Sequence, residues 1–404
     1  MDPSSAHILV LDDDPLMLKL LVLVLHRLGY PEVASSDNAA VTIEQLTQVG
    51  ARTPDLILLD LNMPGMDGVE FIRRLVELSY GGSVILVSGE NDRVMQSVER
   101  LVRAHALETL GRLAKPVQPE LLEAMLTGWT PRTRHPQPKP PRSYSASALR
   151  QAIERGELTN FYQPKVDLAT GRVAGVEALV RWQHPDDGLI GPDRFISVAE
   201  EHGLIGMLTR RVIGVALAQL RTWRDAGLPL KMAINISMDD LSDLRFPEFL
   251  SEQIGASQLS TQDLVLEVTE SRLMRDQRAA LDTLTRLHLK RFELSIDDFG
   301  TGHSSLAQLR DVPFDELKID RSFVQGATHN DMLQVMCRSS VDLTRRLGMR
   351  SVAEGVEDLE DWHFVRDEGV TLAQGYFIGR PMPGDDLAAW IPAWTARVPD
   401  LVNS

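Results

Sequence analysis

Acidic and amide side chains follow short apolar runs at many places in the C-terminal two thirds of the chain. They are Glu177, Asn235, Glu267, Asp297, Asp298 and Glu354, and Lys318 ends a further run. If these runs are the strands of one barrel, their C-terminal ends meet on one face, and that face carries the active site in barrel enzymes. We therefore expect these residues to form one site, although they lie far apart in the sequence.

The chemistry of this set favours divalent cations as its partners. Carboxylates packed this closely would not all stay ionised without compensating positive charge. The candidate ligands are hard oxygen atoms without a histidine or cysteine cluster, which favours Mg²⁺ or Mn²⁺ over Zn²⁺. The adjacent Asp297 and Asp298 suit two ions about 3.5–4 Å apart, and such a pair can stabilise both the attacking and the leaving oxygen of a phosphodiester displacement.

A second acidic cluster is predicted near the N-terminus. Asp12, Asp13 and Asp14 follow the first apolar run, and Asp60 ends the third. In an open parallel sheet these two strand ends face the same crevice, where carboxylates can hold one Mg²⁺. A single acid after a strand more often caps a helix, but four acids at matched strand ends make that interpretation weak. The other polar candidates at this edge are Ser88 and Lys115.

The elements that must position the N-terminal cluster alternate between short apolar runs and amphipathic stretches. The predicted strands are His7–Leu11, Val33–Ser35, Asp55–Asp60, Ser83–Ser88 and Thr109–Leu113. The predicted helices are Pro15–Leu28, Asn38–Val49, Gly68–Ser79, Asp92–Leu107 and Pro119–Leu126. The third run is apolar without alternation, as expected for a parallel strand covered on both faces. The pattern predicts a five-stranded doubly wound, flavodoxin-like α/β domain.

The alternation of strands and helices resumes after residue 144 and lasts about 250 residues, the usual length of a (β/α)₈ barrel. The predicted strands are Val173–Leu179, Met232–Ile236, Leu264–Glu267, Leu294–Asp297, Glu316–Ile319, Ser351–Ala353 and Leu372–Gln374. An additional strand, Asn160–Val166, precedes them and favours an antiparallel start. The predicted helices are Asp193–His202, Gly206–Ala226, Arg278–Lys290, Asp331–Leu347 and Leu359–Glu368.

Residues 128–144 separate the two predicted domains. This stretch is rich in proline and basic residues and contains no acid. It cannot bury apolar area, so we expect an extended, semi-rigid spacer, with a basic patch as the alternative. The predicted organisation is a first domain over 1–127, a linker over 128–144 and a second domain over 145–404.

The composition of the whole chain excludes several classes of protein. Hydrophobic residues make up 43% and charged residues 25%, which is typical of a soluble globular protein. With a formal net charge of −15, the chain lacks the positive field that binding to DNA requires. A single cysteine, Cys337, permits no intrachain disulfide. We expect a cytoplasmic protein without a membrane partner, because the start carries no secretory signal and the apolar runs are too short to span a bilayer.

The N-terminal cluster resembles the site of two-component response-regulator receiver domains. The matching motifs are Leu-Asp-Asp-Asp-Pro at 11–15, Asp-Leu-Asn-Met-Pro-Gly-Met-Asp-Gly at 60–68, Ser88-Gly89 and Lys115-Pro116. The resemblance implies that Asp60 accepts a phosphoryl group from a sensor histidine kinase. It also implies that Asp12 and Asp13 help to bind Mg²⁺, and that Ser88 and Lys115 contact the phosphate. Arg112 departs from the family, which often has an aromatic residue there and usually transmits its signal by rotation of that residue.

The second domain resembles the EAL phosphodiesterases over about residues 145–395. The matching runs are Glu177-Ala178-Leu179-Val180-Arg181, Asn235-Ile236-Ser237, Glu267-Val268-Thr269-Glu270, Asp297-Asp298-Phe299-Gly300-Thr301-Gly302, Lys318-Ile319-Asp320, Ala353-Glu354-Gly355-Val356-Glu357 and Gln374-Gly375-Tyr376. The resemblance implies hydrolysis of cyclic di-GMP to linear pGpG with two bound Mg²⁺ or Mn²⁺ ions. It further implies that metal is bound by Glu177, Asn235, Glu267, Asp297 and Asp298.

The same resemblance implies roles for the remaining residues. Lys318 would position the attacking water, and Glu354 would be either a general base or a ligand of the second metal. Arg181 would contact the substrate phosphate, and Gln163 and Gln374 would face a guanine. The segment from Asp298 to His303 would be a mobile loop, with an ordinary turn as the alternative. The residues implied to shape or hold that loop are Asp298, Gly300, Gly302 and Glu270.

The leading hypothesis is a response regulator whose output is a cyclic di-GMP phosphodiesterase modulated by phosphorylation of Asp60. The pairing of receiver and EAL domains implies a homo-oligomer, either a dimer or a tetramer. One alternative is a receptor that binds cyclic di-GMP without hydrolysing it. Another is a glycoside hydrolase, since paired carboxylates on strand ends also serve that reaction.

Overall fold

Short apolar runs form the sheet of the N-terminal unit. Its strands are β1 (His7–Leu11), β2 (Glu32–Ser36), β3 (Leu56–Asp60), β4 (Ser83–Ser88) and β5 (Glu108–Ala114). All pairings are parallel, in the order β2-β1-β3-β4-β5. The helices around this sheet are α1 (Pro15–Arg27), α2 (Ala39–Thr47), α3 (Gly68–Glu77) and α4 (Pro119–Leu126). This architecture confirms the predicted flavodoxin-like domain.

Side chains of β3 point alternately into two apolar cores, one on each side of the sheet. Ile57 and Leu59 pack into one core, and Leu56 and Leu58 pack into the other. Helices cover both faces, so every residue of β3 and β4 is buried. The strand therefore has no polar face, and its one ionisable side chain, Asp60, lies at its C-terminal end.

The C-terminal unit is a closed barrel. Its strands are β6 (Leu158–Asp167), β7 (Val173–His184), β8 (Gly188–Ile190), β9 (Lys231–Asn235), β10 (Leu264–Thr269), β11 (Glu293–Phe299), β12 (Glu316–Ile319), β13 (Arg350–Ala353) and β14 (Leu372–Ala373). The ring runs β6-β14-β13-β12-β11-β10-β9-β7 and closes through pairing of β6 with β7, while β8 extends β7 as a hairpin. β6 is antiparallel to both neighbours and the other ring pairings are parallel. The predicted TIM-barrel-like fold with an antiparallel start is confirmed.

Helices surround this barrel. They are α5 (Ala146–Arg155), α6 (Ile196–Glu201), α7 (Ile205–Asp225), α8 (Met238–Ser242), α9 (Phe246–Ala256), α10 (Gln277–Leu289), α11 (Leu306–Asp311), α12 (Arg321–Val324), α13 (Asp331–Leu347), α14 (Leu359–Asp367) and α15 (Gly384–Val402). The predicted single helix over Asp193–His202 is wrong. A 3₁₀ turn over Pro192–Arg194 is separated from α6 by Phe195, whose φ of −140° is not helical and whose ring is fully buried.

This computed structural model describes residues 6–48, 52–78, 80–90, 95, 98–99, 101–102, 107–130, 144–269, 277–300 and 306–402. The predicted helix over 92–107 and the predicted linker over 128–144 fall largely outside these residues. The chain divides into two compact units, residues 1–140 and 141–404. The domain and linker boundaries given above stay a prediction. Within the described ranges, no helix is long and apolar enough to cross a membrane.

Candidate active site

Strand register brings the predicted acidic and amide residues of the barrel to one rim. Glu267 on β10 is level with Asn235 at the end of β9, and Asp297 on β11 is level with Thr269. On the antiparallel side of the ring, Gln163 on β6 is level with Glu177 on β7. The same rim receives Lys318 from β12, Glu354 just after β13 and Gln374 just after β14. The predicted convergence of these strand ends is what the structure contains.

The amino group of Lys318 lies at the centre of this rim. Its Nζ is 2.7 Å from Glu354 Oε1, 3.0 Å from Glu267 Oε2 and 3.1 Å from Asp297 Oδ1. It is also 3.4 Å from Glu177 Oε2. The lysine side chain is only 1% exposed. One buried cation is thus shared among four carboxylates, which leaves the site with a deficit of positive charge.

Amide side chains fix the orientation of Glu177. Asn235 Nδ2 donates to its Oε1 at 2.8 Å, and Gln374 Nε2 donates to its Oε2 at 2.7 Å. Gln374 Nε2 also lies 3.0 Å from Gln163 Oε1, and Gln163 Nε2 donates to the carbonyl of Gly379 at 3.1 Å. The side-chain amide oxygen Oε1 of Gln374 is buried and has no hydrogen-bond partner within the described part of the chain. That oxygen is available to a ligand that can donate a hydrogen bond.

Because positive charge is short at the rim, the pKa values of its carboxyls differ from one another. Burial raises the pKa of Glu354 to about 8, helped by Asp297 and Glu177 and opposed by Lys318. The 2.7 Å contact with Lys318 favours the ionised form, but that lysine is divided among four carboxylates, so burial outweighs it. Burial also acts to raise the pKa of Glu267, yet the charges of Lys165 and Lys318 more than offset it and hold that pKa at about 2. At neutral pH the two carboxyls differ in charge.

Asp297 and Asp298 reach the same site although they are neighbours on one strand. Successive side chains of a regular strand point to opposite faces. Here the pairing of β11 with β12 shifts register between Ile296 and Phe299, and Asp298 has a φ of 56° in the left-handed region. A bulge of this kind re-aims a side chain. As a result, oxygens of Asp297, Asp298 and Glu354 all lie within 4.8 Å of one another.

The donor set of this rim fits hard divalent cations. The groups that converge are carboxylate oxygens, with the side-chain carbonyl of Asn235 beside them, and Mg²⁺ and Mn²⁺ prefer such ligands. Burial raises the pKa of Asp297 and of Glu177, and acidic neighbours add to that rise. A cation would remove this unfavourable repulsion. The acidic cluster can therefore hold metal.

A cavity of about 190 Å³ opens beside the cluster. Its walls include Gln163, Glu177, Glu354 and Gln374, as the sequence led us to expect. Four other polar wall residues were given no role by sequence reasoning, although two of them lie within matching runs and the other two follow the run that ends at Asp320. They are Arg321, Gln325, Glu357 and Tyr376.

Arg181 does not line that cavity. It lies two residues beyond the wall residue Leu179 on β7, where its guanidinium donates to the carbonyl of Val180 at 2.8 Å and stacks on Phe161. Gly300 has a φ of 95°, and a Cβ there would lie 2.5 Å from the ring of Phe323, so the position demands glycine. Two residues predicted to shape or hold this loop, Glu270 and Gly302, lie outside the described residues.

The acidic cluster of the N-terminal unit is smaller and more open. Asp12 and Asp60 are buried at the ends of β1 and β3, and Asp13 beside them is exposed. Oxygens of these three acids lie within 4.8 Å of one another, as a metal site requires. Lys115 Nζ contacts Asp12 Oδ2 at 2.8 Å and Asp60 Oδ2 at 2.9 Å. Burial raises the pKa of Asp60, although Lys115 opposes that rise.

The flanking residues of this cluster fall into two groups. Asp14 caps α1 by accepting from the backbone of Leu16 at 2.8 Å, which is the role a lone acid after a strand usually has. Ser88 is fully buried at the end of β4, and its hydroxyl accepts from the backbone of Glu90 at 3.2 Å. Lys115 precedes a cis peptide bond to Pro116. Asp12, Asp13, Asp60, Ser88 and Lys115 thus occupy the predicted edge of the sheet.

Comparison with known proteins supplies two family matches. The EAL domain model matches residues 146–381, and the response regulator receiver domain model matches residues 8–127. The chain is 32% identical over 389 residues to the cyclic di-GMP phosphodiesterase RocR of Pseudomonas aeruginosa, which covers 94% of this chain and 97% of RocR.

Two further similarities involve the barrel. The bifunctional diguanylate cyclase/cyclic di-GMP phosphodiesterase MucR of Pseudomonas aeruginosa is 41% identical over 242 residues, which is 60% of this chain and 35% of MucR. The solved structure described as the PaMucR phosphodiesterase in complex with c-di-GMP superimposes with a TM-score of 0.57 at 40% identity. That match covers 60% of this chain and 98% of the solved one.

Proposed function

The chain belongs to the EAL domain family and carries a response regulator receiver domain, and on this basis we propose that it hydrolyses cyclic di-GMP to linear 5′-pGpG under the control of its receiver. The observation that carries the proposal is the single rim at which Glu177, Glu267, Asp297 and Glu354 surround one buried lysine. Relatives described as cyclic di-GMP phosphodiesterases, RocR among them, support the choice of substrate.

The proposed metal ligands are oxygen donors on four strands of the barrel. Two Mg²⁺ or Mn²⁺ ions would be held by Glu177, Asn235, Glu267, Asp297 and Asp298. When bound, such ions stabilise charge on the attacking and leaving oxygens of a phosphodiester displacement and make water more acidic. The chain's own residues would position the water and the substrate. They also supply the positive charge of Lys318 and a carboxyl, Glu354, that can hold a proton.

In the proposed reaction a water oxygen bonds to phosphorus, and the bond from phosphorus to the ribose O3′ breaks. The product carries a 5′-phosphate, and the departing O3′ takes up a proton. We assign removal of the water's proton to Glu354, because its carboxyl lies beside the proposed metal ligands Asp297 and Asp298, and bound cations there would release the proton that burial holds on it. Its Oε1 accepts from Lys318, which leaves Oε2 to hold the proton. Lys318 positions the water, and the cavity lined by Gln163 and Gln374 takes a guanine.

Arg181 is proposed to bind the second phosphate of the substrate. Its planar guanidinium offers several donors, and in this structure one of them is occupied by the carbonyl of Val180. A ligand phosphate near β7 would compete for the remaining donors. The segment around Asp298, Gly300 and Gly302, with Glu270, is proposed as a loop that adjusts the site.

The receiver is proposed to accept a phosphoryl group on Asp60 from a sensor histidine kinase, with one Mg²⁺ held by Asp12, Asp13 and Asp60. Lys115 already contacts two of these carboxylates, and its charge together with that of the bound Mg²⁺ would balance the added phosphate charge. Phosphorylation is proposed to change turnover at the barrel in a homo-oligomeric assembly, a dimer or a tetramer.

Incubation of the full chain with cyclic di-GMP and Mg²⁺, followed by chromatography, tests the proposed reaction. We expect linear dinucleotide from the wild type and none after chelation or in Glu177→Ala. Tight binding without product at saturating Mg²⁺ or Mn²⁺ would instead indicate a receptor. Activity that survives complete chelation would contradict the metal-dependent reaction.

A further inference from the structure

A buried lysine beneath the rim is not used by the reaction described above. Lys165 lies on β6, two residues beyond Gln163, and is only 4% exposed. Its Nζ contacts Glu267 Oε1 at 2.9 Å and Glu316 Oε1 at 3.2 Å. The interior of a (β/α)₈ barrel is normally filled by branched apolar side chains. A buried ammonium there is costly unless its partners are well placed, so its position calls for a reason.

Lys165 is one member of a chain of charges that continues away from the rim. The second oxygen of Glu316 lies 3.4 Å from Arg350, which also pairs with Glu293. Glu293 in turn pairs with Lys231 at the start of β9. Each member of this chain has a partner of opposite charge, so Glu316 does not depend on Lys165 alone for compensation.

Glu267 is held differently at its two oxygens. Oε1 accepts from Lys165, whereas Oε2 lies 3.0 Å from Lys318 at the centre of the rim. Glu267 itself is fully buried. With Oε1 occupied from below, only Oε2 is presented to the space where the other carboxylates converge.

We propose that Lys165 is a positioning residue, which holds Oε1 of Glu267 from beneath and so presents Oε2 as a single ligand oxygen to a divalent cation. The inference rests on the proposed metal-dependent function. Groups that orient a metal ligand typically affect metal affinity by about 10–100-fold when they are removed. Lys165 would act through Glu267 and would not touch the substrate.

The test measures Mn²⁺ binding by calorimetry on the full chain, with Asp13→Asn present in every sample to weaken the receiver site. Lys165→Met alone leaves Glu316 short of one partner, so the decisive variant is Lys165→Met with Glu316→Gln. We expect the double variant to regain stability against unfolding but to bind Mn²⁺ at the barrel about 10–100-fold more weakly than the reference. Glu316→Gln alone keeps the contact between Lys165 and Glu267, so it should bind Mn²⁺ like the reference.

Lys231→Met is the matched control, since it removes a lysine of the same charge chain that pairs with Glu293 and not with Glu267. It should leave Mn²⁺ affinity unchanged. Reference-like affinity in the double variant would overturn the proposal, as would an equal loss in Lys231→Met. Because the titration contains no cyclic di-GMP, it judges Lys165 separately from the proposed hydrolysis, which fails instead if the wild type forms no linear product.

Discussion

The two acidic clusters of this chain are built from the same parts but differ in how deeply their lysine is buried. Each places carboxylates at the C-terminal ends of parallel strands around one lysine. In the receiver, Lys115 contacts two carboxylates and its side chain is 23% exposed. In the barrel, Lys318 contacts four carboxylates and its side chain is 1% exposed.

Sheet closure accounts for this difference. An open sheet brings together only the strand ends beside its switch point, here those of β1 and β3. A closed ring directs strands from all sides toward one axis, so carboxylates from β7, β10 and β11 meet beneath the surface. Both clusters gather carboxylates that could hold a metal ion, and they differ in how many carboxylates share one lysine. The following predictions test or sharpen this contrast.

The largest expected effect comes from Glu354→Gln. Because the amide cannot accept a proton from water, we expect the rate of cyclic di-GMP hydrolysis to fall by about 10²–10⁴-fold. Product formation followed by chromatography measures it. Glu360→Gln is the control, since Glu360 is exposed and pairs with His329 away from the cluster. Near-normal turnover in Glu354→Gln would refute the assignment of the general base.

Lys318 and Lys115 should differ in how much each contributes to the free energy of unfolding. Removing one partner from a buried ion cluster costs about 3–5 kcal/mol, so Lys318→Met should destabilise the barrel by that order. Lys115 is partly exposed, so Lys115→Met should cost the receiver less than this, although it leaves the buried Asp12 and Asp60 without that partner. Hydrogen exchange read separately at β12 and β3 distinguishes the two units. Equal losses would mean that depth does not govern the difference.

The pH dependence of metal binding should reveal the proton on Glu354. The pKa of this carboxyl is raised to about 8 by burial, so a bound cation must displace a proton below that pH. Mn²⁺ affinity of the barrel should rise by up to about tenfold for each pH unit from 6 to 8. The slope should flatten in Glu354→Gln, and calorimetry in buffers of different ionisation enthalpy counts the released protons. A flat profile in the wild type would contradict the raised pKa.

The raised pKa of Glu354 also determines whether the metal-free protein becomes more or less stable as the pH rises. Above pH 5 the unfolded chain has lost the proton that folded Glu354 still binds, so the folded state holds more protons. The free energy of unfolding should therefore fall as pH rises toward 8. Denaturant titrations with chelator present should show this fall, and Glu354→Gln should reduce it. A rise in stability over this range that Glu354→Gln abolishes would contradict the prediction.

The smallest expected effect is that of the receiver on the barrel. An acyl phosphate should change cyclic di-GMP turnover by at least about fivefold, the lower end of typical coupling between sites. Asp60→Asn should abolish the response without changing basal turnover. Intact mass spectrometry verifies the modification. Identical rates in modified and unmodified wild type would show that the receiver does not control this output.

Much of this fold could be predicted from the sequence because it depends on local patterns. Unbroken apolar runs marked the strands, and polar residues at their ends indicated which side carries the chemistry. Antiparallel pairing with β6 explains why β7 continues to His184, well past the predicted Leu179, and β8 then adds a short hairpin. The hydrophobic periodicity of the sequence does not indicate long-range strand pairing of this kind.

Three features of the barrel site depend on tertiary geometry and could not be predicted. The convergence of Asp297 and Asp298 needs a bulge and a left-handed backbone, which neither residue type specifies. The pairing of Lys165 with Glu316 joins strands that are 151 residues apart in sequence. Burial acts to raise the pKa of both Glu354 and Glu267, but only at Glu267 do two lysines more than offset it, and this follows from the folded geometry.

The most direct test of the central claim is a crystal structure of the full chain with Mn²⁺ and cyclic di-GMP, in which Glu354→Gln slows turnover of the substrate and anomalous scattering locates the metal. We predict two anomalous peaks about 3.5–4 Å apart at the barrel rim, within coordination distance of Glu177, Asn235, Glu267, Asp297 and Asp298. A rim that binds cyclic di-GMP with one peak or none would contradict a two-cation site.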